Sequence, residues 1–146
     1  MNILLILHVL LDVFFCICLV WCWWSDYKKR EIPNKAILLI LICSAVRLIL
    51  FLVNKQPVIM YLATLLMFIP MYLWWRRGKM GGGDLKLFLV CGLFMGAVFF
   101  MGALLVTLVA AGITGKTFKR RAPLAVFFAP GAISMIIIEL FCMFTV

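Results

Sequence analysis

From Leu87 to Gly115 the chain carries no charged residue, and further long apolar runs precede and follow this one. A run of about 18 or more apolar residues is long enough to cross a bilayer as a helix, and a chain assembled from such runs has few other ways to fold. Hydrophobic residues make up 68% of the sequence. No polar stretch exceeds roughly a dozen residues, which leaves no room for a separate soluble domain. The reading is one membrane-embedded domain over residues 1–146, an all-α integral membrane protein built as a polytopic bundle of about six transmembrane helices. The N-terminal run has no basic segment before it and no small-residue cleavage pattern after it, so it is expected to be retained as the first span.

The spans are expected at about Ile3–Trp24, Ala36–Val53, Val58–Trp75 and Leu124–Val146, with Pro70 kinking the third. Trp21, Trp23, Trp24, Trp74 and Trp75 mark interfacial ends, where indole rings favour the headgroup region. The run from Leu87 to Gly115 would reach about 43 Å as one helix, beyond a hydrocarbon core of about 30 Å. A bend between Gly96 and Gly102 would divide it into two short spans. That division also places three basic segments on one side: Lys28, Lys29, Arg30 and Lys35; Arg76, Arg77, Lys79 and Lys86; Lys116, Lys119, Arg120 and Arg121. Both termini then lie outside, and the basic segments face the cytoplasm.

The net charge of +9 therefore reads as a topology signal, and the bilayer, not nucleic acid, is the expected partner. The six cysteines lie inside apolar runs and form no CxxC pair, so they are expected to pack as small hydrophobes. No metal site follows from them. The chain has five carboxylates. Asp12 and Glu139 fall within spans, as does Arg47; Asp12 and Arg47 lie at a common depth and are expected to pair, with Glu139 the next candidate partner for Arg47. His8 falls on the outer side of the first span and is expected to pack there.

Asp26 and Asp84 sit beside basic segments at the cytoplasmic ends of spans. Asp84 closes the run Gly81, Gly82, Gly83 and is expected to cap the helix that follows. Asp26 is expected just after the first span, with Pro33 and Asn34 opening the second helix. Each segment alone has a plain explanation, a flexible turn with a cap and a solvated loop carboxylate. Together, Asp26, Arg30, Ile32, Pro33 and Asn34, followed by Gly81, Gly82, Gly83, Asp84, Leu85 and Lys86, resemble the two signatures of the type IV prepilin peptidase family. A weaker third patch runs from Ala122, Pro123 and Leu124 to Pro130 and Gly131. The resemblance extends over nearly the whole chain, and its length is similar to that of the short, single-function members.

The resemblance implies a membrane aspartic endopeptidase that removes the leader peptide of prepilin-like precursors at the cytoplasmic face of the cell's inner membrane. Asp26 and Asp84 would be catalytic, supported by Arg30, Ile32, Pro33, Asn34, Gly81, Gly83 and Lys86. No cofactor or metal is implied. Larger members carry an added cysteine-rich region and methylate the new terminus; methyltransferase activity is not expected here. In such a dyad one carboxylate activates water while the other, protonated, polarises the scissile carbonyl. Helix ends propose Asp84 as the base and Asp26 as the proton carrier. Leader recognition is expected from local carboxylates such as Glu31 and from the substrate's apolar helix. Two alternatives stand beside this one. A presenilin-type protease would place its first Asp within a span. A small transporter or assembly scaffold would draw on Asp12, Arg47 and Glu139.

Overall fold

The structure is a computed structural model, and it describes residues 3–29, 31–55, 57–78, 80–114 and 124–145. All the regular elements among the described residues are helices: α1 (Ile3–Lys29), α2 (Asn34–Val53), α3 (Ile59–Leu62), α4 (Thr64–Arg76), α5 (Gly82–Thr114) and α6 (Leu124–Thr145). By length and composition Leu5–Lys29, Asn34–Val53, Ile59–Arg76 and Gly82–Ala110 could each cross a membrane, and Val126–Cys142 is a shorter apolar helix. The surface is correspondingly apolar. Ile17, Val53, Ile59, Leu66, Val98 and Phe141 are all more than half exposed, as expected of side chains that face lipid.

α5 is the central element, packed against α2, α3, α4 and α6, while α1 lies against α2 and α6. Aromatic rings fill the interior. Phe15 of α1 stacks on Phe94 of α5 at 4.0 Å between centroids. Phe88, Phe100 and Phe128 meet edge to face, with Phe88 and Phe128 at 4.7 Å. Ser44 ties α2 to α5 by placing its hydroxyl 3.0 Å from the Val90 carbonyl.

The expected bend in the long apolar run falls at Gly96. Its φ of 77° and ψ of 166° lie in a region open essentially to glycine alone. The ring centroids of Phe88 and Phe100 are 6.4 Å apart, whereas an unbroken helix would set those positions about 18 Å apart along its axis. The chain therefore reverses at Gly96, and residues 82–95 and 97–114 pack as two limbs. An added Cβ at Gly96 would also meet the Tyr61 ring at 3.2 Å. Gly96→Ala is expected to destabilise the fold by about 1–3 kcal/mol through the backbone alone, read as a lowered thermal midpoint in detergent.

The third apolar run comprises α3 and α4, joined at Ala63, whose φ of −59° and ψ of −23° are helical, and Pro70 lies inside α4; the Thr64 hydroxyl donates to the Tyr61 carbonyl at the join. Two expectations about helix ends need correction. α1 extends past Trp24 to Lys29, so Asp26 is helical and not in a loop. That extension is favourable, because Lys28 and Lys29 meet the negative end of the helix dipole. α5 begins at Gly82, so Asp84 is in its first turn and not at the cap.

Candidate active site

The two signature segments meet at one end of the bundle. Asp26, in the last turn of α1, is 5% exposed. One residue earlier, the Ser25 hydroxyl donates to the Glu31 carbonyl at 2.9 Å, which folds the connection after α1 back onto the helix. Pro33 then presents its carbonyl to the amides of Ala36 and Ile37 at 3.0 and 3.3 Å. Its φ of −67° and ψ of 125° are natural for proline just ahead of a helix, and Asn34 opens α2 as expected.

On the other side, Gly81 supplies the first carbonyl of α5, accepting from the Leu85 amide at 3.2 Å. The glycines pack close to their neighbours, Gly81 most tightly. A Cβ on Gly83 would lie 3.4 Å from Ile32 Cβ, one on Gly82 3.4 Å from Trp75 Nε1, and one on Gly81 3.0 Å from Asp84 Oδ2. The first signature thus rests directly on the second through Ile32 and Gly83. The Asp84 carboxylate folds back over Gly81, beside the positive end of α5.

Between the segments lies a cleft of ≈ 380 Å³ lined by Asp26, Glu31, Ile32, Asn34, Gly81, Gly82, Gly83, Asp84 and Lys86. Both aspartates, both of the motif glycines and Lys86 therefore share one cavity. Pro33 supports the site from behind by starting α2. Arg30 lies outside the described residues, as do Ala122 and Pro123 of the third patch. Pro130 and Gly131 fall inside α6 and do not line the cleft. Glu31, singled out in the sequence, lines the cleft, and the packing of Trp75 over Gly82 carried no sequence signal beyond its interfacial position.

Gly81→Ala is expected to keep the fold and lower turnover by roughly 10-fold or more, since a small displacement of a reacting group is costly. The added methyl must push the Asp84 carboxylate from its place. Comparing kcat with the thermal midpoint checks this.

The molecule is an all-helical bundle with apolar faces outward and a polar cleft near one end that holds Asp26, Glu31 and Asp84. The model of the type IV leader peptidase family matches residues 13–116, and the chain belongs to that family. The match includes Asp26 and Asp84 and ends before the third patch. No curated protein and no solved structure gives a match. The presenilin alternative had been set apart by an Asp outside the span. Asp26 is helical and buried, but Ser25 and not a tyrosine precedes it, and the family match favours the leader peptidase reading.

Proposed function

We propose that the chain is an aspartic endopeptidase that cleaves leader peptides from prepilin-like precursors at the cytoplasmic face of the inner membrane. The observation that carries this reading is the shared cleft of Asp26 and Asp84 in a chain of the type IV leader peptidase family. Asp84, in the first turn of α5, acts as the base that takes a proton from water. Asp26, near the negative end of α1, carries the proton that polarises the scissile carbonyl. As the peptide bond breaks, the amine leaves with a proton and the pair returns to its starting state.

Counted with the reversal at Gly96, the helices make six crossings with both termini outside. Lys28 and Lys29 at the end of α1, Arg76 at the end of α4 and Lys86 in the cleft then lie toward the cytoplasmic side. Glu31 on the cleft rim supplies negative charge toward a basic leader, and Lys86 opposes it, so recognition rests on shape as well as charge. The reading assigns no methyl transfer. The transporter or scaffold alternative drew on Asp12, Arg47 and Glu139; these three bind one another in the interior, which accounts for them without a transport path.

The test is direct. Purified protein in lipid nanodiscs, incubated with a prepilin-like precursor, should release a product whose new N-terminus is read by mass spectrometry. Intact precursor after prolonged incubation, with the protein demonstrably folded, would favour the scaffold reading.

A further inference from the structure

A buried polar cluster of Asp12, Arg47 and Glu139 lies away from the cleft. Arg47 of α2 is fully buried and reaches Asp12 of α1 through Nη1 and Glu139 of α6 through Nη2. Its guanidinium rests on the Phe94 ring of α5 at 4.5 Å from the centroid. α2 and α6 are not close neighbours along their backbones, so this side chain joins them across the interior. Asp12 is 0% and Glu139 5% exposed.

The charges do not balance. Two carboxylates share one guanidinium, and fully ionised they would leave one uncompensated negative charge inside the apolar bundle. Charge in such surroundings is expensive unless it is paired or neutralised. The other groups facing the cluster do not supply a second cation. His8 of α1 lies against Phe51 with its ring centroid 5.2 Å away, and neither ion pair of the cluster includes it. Cys16 of α1 and Tyr61 of α3 are the remaining titratable neighbours, and neither becomes cationic. One outer oxygen on each carboxyl, Asp12 Oδ2 and Glu139 Oε2, has no protein hydrogen-bond partner among the described residues. Either one has a free lone pair on which a proton can sit.

We propose that Asp12, Arg47 and Glu139 form a proton-binding clasp, in which the two carboxyl groups hold one proton between them and the neutral cluster ties α1, α2 and α6 together. Release of that proton leaves a net negative charge in the interior and loosens α1 and α6 from α2. The ligand is the proton itself, and the proposal does not depend on the peptidase reading.

Infrared spectroscopy in an Asp26→Asn/Asp84→Asn background removes the dyad's own contribution. The carbonyl stretch of a protonated carboxylic acid should be present near neutral pH and absent in Glu139→Gln and in Asp12→Asn, where the remaining carboxylate pairs one to one with Arg47. Thermal unfolding in micelles should show the midpoint falling by roughly 5 °C between about pH 6 and about pH 9. Each of those variants should lose at least half of that fall, while His8→Leu should keep all of it. A carboxylic-acid band that survives both variants would overturn the proposal. So would a pH dependence abolished by His8→Leu alone. Failure of both amide variants to fold would also overturn it, because the clasp already contains one neutral carboxyl.

Discussion

Asp84→Asn and Asp26→Asn are each expected to lower precursor cleavage by about 10²–10⁴-fold, the range of general acid–base contributions. Asparagine keeps the size of the side chain but neither accepts nor delivers the proton. The effect should fall on kcat, because Asn still lines the cleft and the precursor's apolar helix still meets the same surface. Combining the two substitutions should add little, since groups that act as a unit give non-additive losses. Asp12→Asn is the informative control. Asp12 sits 14 positions before Asp26 on α1, or about 21 Å along the axis, so the variant should retain most of its activity. A time course of product formation, normalised to folded protein, measures all four. Equal activity in Asp84→Asn and wild type would remove the dyad mechanism.

Arg47→Met is expected to have the largest effect on stability, on the order of 3–5 kcal/mol. The substitution removes the partner of two buried carboxylates at once, and leaving such groups unpaired costs more than their pairing contributed. Against a total stability of about 5–15 kcal/mol, that loss should show as a low yield of folded protein and a much lower thermal midpoint. Adding Asp12→Asn and Glu139→Gln to Arg47→Met should recover a substantial part, because the triple variant buries no charge. Failure of that recovery would mean that Arg47 acts mainly through its shape and its contact with Phe94, not through its charge.

Much of this architecture could be read from residue order. The apolar runs marked the helices, and the need to keep three basic segments on one side located a reversal that falls at Gly96. Depth counting brought Asp12 and Arg47 together. It could not show that Arg47 also holds Glu139, because depth along a helix says nothing of which way a side chain points around it. The helix ends were less legible. Hydropathy falls at Trp24, but α1 continues to Lys29, since a helix end responds to dipole and capping chemistry that an apolar pattern does not encode. Asp84 followed the same rule. A glycine run reads as a turn, yet Gly82 and Gly83 are already helical and bring Asp84 into the first turn. The contact between Ile32 and Gly83 was not legible either, because it joins segments related only through the packing of α2 on α5.

That contact bears on how the protein comes into being. The proposed dyad draws one carboxylate from α1 and the other from α5, and the seat for Ile32 is a glycine on the later element. During synthesis α1 and α2 enter the membrane well before α5 exists. A nascent chain paused anywhere ahead of Gly83 therefore holds only one of the two aspartates of the proposed dyad. On the proposed reading the site is complete only as a late event, once the glycine turn docks under Ile32. On that reading an unfinished copy lacks half of its own chemistry, and the order of synthesis does the work of an inhibitor.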